Sequence, residues 1–584
     1  MAPDRSYLDQ PASHNSAVTE AIVHQQEPLL INGDTEAQAR AKPKETKVSY
    51  MSLPKKGQLA LLCIARMADP LAATSIQSYM FYQLKFFDPT ASPTRISTQA
   101  GILVGAKTAA AVCTGMLWGR VADSEWGGRK FVLMVGLLSA GVACVGYGFS
   151  KTFASAVAWQ VFGGAMSSNV GITRCVVAEL NPEKRWVPLF WYQVLELTLS
   201  SFRTRALLLL PLFASAGMLI GPLIGGLLSS PGGSSTAQAY PYAPPNLFVA
   251  AIYGIAAIGV FFGLEETLES LHHEGSFIHR IWKKFKKALS RDKSQDHEYA
   301  PVDSETPASP VVELTDGQES NQPQVPPKRK ATLPFRRIWT FNVICTMVAH
   351  FIIAGHLATF TNLWAIFLST PVGQKEEQHP PLQFDGGLGM EPKQVGFAMS
   401  ALGAIGVVLQ LVIYPKLNDR FGTIKIWRGA LFIFPIVYLI APFLSLVASA
   451  GSADIETSAI VWLTMGFVLL LFVMGRTGVT PATTLLINDC TPHPSVRGTI
   501  HTAGTVIGNS SRSLFPIIAL WIFGKGQQIG VVGLGFWFVA CLAILACVAS
   551  KWVTEGSNGK EIVLEGDEPE QQPDGANGNG KHPK

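Results

Sequence analysis

The chain has 584 residues, 48% of them hydrophobic and only 15% charged, with a formal net charge of +5. Soluble domains carry roughly a quarter charged residues, so this balance excludes an ordinary soluble protein and indicates an integral membrane protein. The slight basic excess forms no patch interleaved with aromatics, which argues against a nucleic-acid partner, and the eight cysteines show neither CxxC pairs nor metal-ligand spacing, so they read as small core residues.

Residues 1–56 are polar and lack the charged start and apolar core of a cleavable signal, so the first apolar span must direct insertion itself. Within this tail "EPLL", Glu27 to Leu30, resembles an acidic dileucine sorting signal; it favours the vacuolar membrane, with the plasma membrane as the alternative. Segments of about twenty apolar residues cross the hydrocarbon core as helices, and the chain holds about twelve. Six run near 58–80, 98–118, 130–149, 154–175, 206–228 and 246–264, forming a first half over 57–264. Six more run near 340–369, 395–414, 427–447, 459–482, 500–523 and 529–550, forming a second half over 336–550. The expected fold is all-α: two pseudo-symmetric six-helix bundles joined by a polar, disordered linker, 265–335, and followed by an acidic, Gly- and Asn-rich disordered tail, 551–584. Lys and Arg gather in alternate loops, which places both termini in the cytosol. Inside the first half, 187–205 is a possible insert. "VPLFWYQVLELTLSSF", Val187 to Phe202, is too short to cross alone, and reads either as an interfacial helix with Trp191 and Tyr192 at headgroup level or as translated intron.

Ionisable groups at bilayer depth cost about 2.5–3.5 kcal/mol each on insertion scales, so each calls for a role. Arg66 and Asp69 share a face of the first span, where they either neutralise each other or line the central cavity; Lys107 in the second either snorkels to the outer surface or partners Asp69 in a substrate or proton pathway. His356 in the seventh span titrates near neutrality when unperturbed, Arg476 sits between glycines in the tenth, and Arg512 in the eleventh is a weaker candidate. Between the second and third spans "GMLWGRVADSEWGGRK", Gly115 to Lys130, packs charges among glycines. Asp123 can accept from a helix N-terminus while Arg129 and Lys130 anchor to phosphate or carboxylate, which makes the stretch either a latch of the closed cytosolic face or a plain positive-inside turn. In the fifth span "GMLIGPLIGG" sets Gly217, Gly221 and Gly225 four apart, a flat packing face, with Pro222 and Gly226 beside it.

These two stretches resemble motifs A and C of the major facilitator superfamily. "GRVADSEWGGRK" is similar to G-x-L-A-D-R-x-G-R-K, with Gly119, Asp123, Gly128, Arg129 and Lys130 as the gating positions; two extra residues and Ser124 depart from it, as in fungal and plant relatives of the zinc-induced-facilitator-like group. A worn second copy, "PKLNDRFGTIK" with Asp419, Arg420 and Gly422, follows the eighth span, and "RMADP", "EET" (Glu265 to Thr267) and "RGT" (Arg497 to Thr499) also resemble fungal drug:proton antiporters. Motif C marks the antiporters, whereas Gln160 stands where their motif B carries an Arg, which leaves Lys107 or Arg174 to supply that charge.

The resemblance implies a secondary transporter, not an enzyme, working without a cofactor or metal. It would export a small organic compound (a drug, toxin or secondary metabolite) in exchange for protons by alternating access, as a monomer in the bilayer. The alternatives are a non-transporting sensor or receptor on the same fold and an importer of a nutrient or metal chelate.

Overall fold

A computed structural model describes residues 55–124, 127–167, 169–180, 210, 212–229, 239–267, 333–374, 378–450, 459–493 and 496–556. The sorting signal, Val187 to Phe202, and most of the linker and both tails lie outside these residues.

Nine described helices are long and apolar enough to cross a membrane: Lys56–Phe87, Pro93–Asp123, Arg129–Gly148, Ala243–Gly263, Phe341–Ser369, Thr423–Ala450, Ala459–Asp489, Thr499–Gln528 and Gly533–Trp552. They are the first, second, third, sixth, seventh, ninth, tenth, eleventh and twelfth spans. The fifth is Leu212–Leu228. The fourth is broken into Phe153–Ala165 and Asn169–Leu180, and the eighth runs from Pro392 through a π turn at Leu409–Ile413 to Phe421. Lipid offers no partner for a peptide group, so apolar stretches close their hydrogen bonds within each helix, and large side chains such as Phe262 and Leu463 face outward.

Several helices outrun their apolar stretch. The first span continues past Met80 to Phe87 because leaving the apolar zone removes no backbone bond; it stops at Asp88, whose N–H caps Leu84. The fourth span departs most from expectation. Its break falls at Met166 and Ser167, just after Gly163 and Gly164, where glycine and serine weaken the helix, and it lets the buried Asn169 side chain reach the first span.

The cores show how the halves meet. One apolar cluster runs from the second half (Phe360, Trp364, Phe472) without a break into Met80, Leu84 and Leu103 of the first two spans. At the other end, Leu62, Leu133 and Val260 form one cluster and Val343, Met347 and Ile500 another. The bundles are therefore fused at one end and separate at the end that carries the Asp123–Arg129 turn.

Candidate functional site

The fused end is a seam of small residues. A Cβ at Gly101 would stand 3.0 Å from the Cα of Ile517, and one at Gly105 would stand 2.7 Å from the Ser513 carbonyl, so the second and eleventh spans touch backbone to backbone. The Thr94 hydroxyl donates to Gly524 O at 2.5 Å, and Ser513 donates to Gly105 O at 2.8 Å. Across the same seam Gln77 donates to Asn362 at 2.9 Å, and the Tyr82 hydroxyl donates to Met390 O. The fifth and eighth spans meet where Gly226 abuts Pro392 and Gly403 abuts Leu219. Further along, Gly115 and Gly119 face nothing within 4 Å. The halves part on the Asp123 side, where their apolar clusters are separate, and that parting is the vestibule.

Motif C builds the wall of the fifth span. Cβ atoms at Gly217 and Gly221 would meet the carbonyls of Met67 and Leu71 at 2.5 and 2.6 Å, and Gly225 faces Ser75, so one glycine face lies on the first span. The Pro222 carbonyl accepts from the Ser78 hydroxyl at 2.9 Å, and the helix continues through Pro222 to Leu228.

Asp69 lies in a cavity inside the first half rather than between the halves. Its Oδ1 accepts from the Tyr253 hydroxyl at 2.8 Å and from Asn169 Nδ2 at 3.3 Å. Lys107, Cys144, Tyr147 and Gln160 line the rest of a space with about 20 Å³ of room for water, enough for about one molecule. Gly164 admits the backbone of Lys107 against the fourth span, which holds the lysine over this cavity. Among the described residues, no ion pair joins Asp69 to Lys107 or to Arg66. The expected pair is thus two charges at one cavity, the carboxylate being held instead by a phenol and an amide.

The charged turn is a network within the first half. Gly128 takes φ 85° as the N-cap of the third span. Arg129 then donates to Glu179 through Nε and Nη2 at 3.2 and 3.0 Å, to Ala122 O at 2.6 Å, and to Asp123. Glu266 receives the N–H groups of Arg129 and Lys130 at 2.9 and 3.1 Å, a carboxylate on a helix N-terminus where the macrodipole favours it. The partners named here all belong to the first half. Gly119, the first residue of the motif, lies free.

The remaining candidates separate. His356 is fully buried in the second half, its Nδ1 2.9 Å from the Tyr438 hydroxyl and its ring 5.0 Å from Phe434, away from the Asp69 cavity. Arg476 reaches across the seam to Met218 Sδ at 2.8 Å, and Arg512 Nη1 donates to Asn509 at 3.2 Å. Sequence reasoning missed Glu179, Asn169 and Tyr253. Glu179, an acid at the end of an apolar span, carried a signal; the other two carried none, because a phenol or amide in a span is unremarkable until it faces a carboxylate.

The Major Facilitator Superfamily model matches residues 61–516. The multidrug transporter mfsB of Aspergillus fumigatus is 26% identical over 532 residues, covering 85% of this chain and 83% of that protein. ZINC INDUCED FACILITATOR 1 of Arabidopsis thaliana is 22% identical over 404 residues, covering 66% and 71%. Among solved structures, a D-xylose-proton symporter superposes with a TM-score of 0.54 at 14% identity, covering 88% of this chain and all of that one (100%). With a seam at one end, a vestibule at the other and a family match over most of its length, the chain belongs to the Major Facilitator Superfamily, whose members are transporters rather than enzymes.

Proposed function

We propose that the chain exports small organic compounds from the cytosol in exchange for protons, with both termini and the Asp123–Arg129 turn on the cytosolic face. The observation that carries this reading is Asp69: an ionisable carboxyl in a water-sized cavity, held by two neutral donors, with Lys107 on the same cavity and Arg66 within electrostatic range. One oxygen, Oδ1, accepts from both Tyr253 and Asn169; a proton on the carboxyl removes the charge that strengthens these two bonds and leaves the nearby cations uncompensated. Because Asn169 begins the helix after the break in the fourth span and Tyr253 lies on the sixth, the proton changes how three spans are tied together. That gives a route from protonation to a shift of the first half against the second. The multidrug transporter among the relatives and the glycine seam of motif C support efflux over import.

The test is transport by the full chain in proteoliposomes. An imposed pH gradient should drive accumulation of a fluorescent drug, while Asp69→Asn should abolish the gradient-driven component and keep substrate counterflow. Unchanged gradient dependence in Asp69→Asn would overturn the coupling role, and absence of counterflow for every compound in a broad panel would favour a sensor.

A further inference from the structure

Four arginines gather where the seam ends. Arg66 lies on the first span, Arg174 on the second part of the fourth, Arg476 on the tenth and Arg512 on the eleventh, two from each half. Ser513 makes the contact with Gly105, and Arg512 is the next residue toward the open side; Leu219 packs on Gly403, and its neighbour Met218 receives Arg476. Arg512 lies within electrostatic range of the other three, and Arg174 within range of Arg66. Arg174 and Arg512 are solvent-exposed, and Arg66 and Arg476 are partly so.

None of the four forms an ion pair among the described residues. Asp69, the acid nearest Arg66 in sequence, lies within electrostatic range of it but accepts its hydrogen bonds from Tyr253 and Asn169. The polar contacts made by Arg476 and Arg512 are a thioether and an amide oxygen, neither of which compensates a charge. Unpaired cations at membrane depth are retained where they serve a pathway, and guanidinium forks match planar or tetrahedral oxyanions with two bonds each. Resting on the export reading above, we propose that Arg66, Arg174, Arg476 and Arg512 form the substrate seat and that the cargo is a small organic anion, a carboxylate, sulfonate or phosphate on an apolar body. Because the seat draws residues from both halves, a bound anion bridges them, and its charge offsets the repulsion that opposes bringing Arg476 and Arg512 toward Arg66 and Arg174 as the vestibule closes.

The experiment is equilibrium binding to the full chain in lipid nanodiscs, using naphthalene-2-sulfonate and naphthalene-2-carboxylate against the like-sized cation 2-naphthylmethylammonium. The anions should bind at least about tenfold more tightly than the cation, and Arg476→Gln or Arg512→Gln should weaken them about tenfold, with Arg512→Lys in between. Equal or tighter binding of the ammonium overturns the proposal, as does unchanged anion affinity in both Gln variants at an unaltered melting temperature. Should those variants fail to fold, the charge preference of the natural chain decides alone. Binding needs no gradient, so the two readings fail separately. A chain that binds the sulfonate but shows no counterflow of any compound in the panel sinks the transport reading; one that carries the ammonium and ignores the sulfonate sinks only the anion seat.

Discussion

The two halves repeat one architecture but fasten it differently. The turn after the second span and the turn after the eighth share a backbone: Gly128 has φ 85° and ψ 167°, Gly422 has φ 77° and ψ 160°, and each caps the helix that follows. In the first half the turn is wired with charge, Arg129 joining Asp123 and Glu179. Its counterpart has Thr423 after the glycine, and Arg420 lies over the ring of Phe421, 5.3 Å from its centre. The contrast extends to the helix ends. Lys55 pairs with Glu265 at 2.6 Å, tying the start of the first span to the end of the sixth. The equivalent tie in the second half is neutral: Asn342 Nδ2 donates to Thr554 O and Gly556 O at 3.0 and 2.9 Å, and its Oδ1 accepts from Thr554 N at 3.0 Å. Every ion pair between described residues lies in the first half. The turn and the tie recur in both halves, while the ion pairs found among the described side chains belong to the first.

Substitutions can break this comparison in order of size. Arg129→Ala should do most, since it strands Glu179 beside a helix end and frees Ala122 O. About 2–3 kcal/mol is expected, discounted because Glu179 is 32% exposed and Asp123 71%. It would register as a drop of several degrees in melting temperature together with a loss of transport. Next comes Asn342→Ala, at about 1–2 kcal/mol from three bonds lost at a buried site. Its effect should not depend on salt, while added salt should speed amide exchange at the first half's ends more than at the second's. Gly128→Ala and Gly422→Ala should each cost about 1 kcal/mol from positive φ alone. Equal costs sharpen the claim of a shared turn; a neutral Gly422→Ala would break it.

The smallest effect is at Asp88, in the turn between the first two spans. The Thr90 hydroxyl bond, and to a lesser degree Arg95, hold its carboxyl below the usual range. A folded value below the unfolded one means the stabilisation is present above the unfolded pKa of about 3.9 and fades as pH falls through the lower, folded value. Asp88→Asn should flatten the acid limb of the melting-temperature profile slightly and leave the neutral plateau unchanged.

Hydropathy makes the spans legible because the bilayer imposes one rule, apolar length, on every one of them. Motif A was legible for a similar reason: charge set among glycines between two apolar runs has little to be except a tight reversal at the membrane surface. The break in the fourth span was hidden because the apolar pattern runs on through Met166. The partners of Asp69 were hidden because Tyr253 comes 184 residues later and nothing local marks the pairing. His356 shows the opposite limit. In a helix apolar all round, sequence cannot tell an aromatic core from a pathway, and the two differ only in which neighbour the helix turns toward.

Gly101 and Gly119 are eighteen residues apart, about five full turns, so they share one azimuth on the second span. The first is pressed against the eleventh span and the second is bare. A cylinder with two smooth seats on a single generatrix can roll along a partner without sliding, releasing one seat as it engages the other. The closed vestibule would then be bounded by the bulk at Gly119. A leucine there should leave melting temperature unaltered and jam the roll half-way, a protein that binds its cargo and never delivers it.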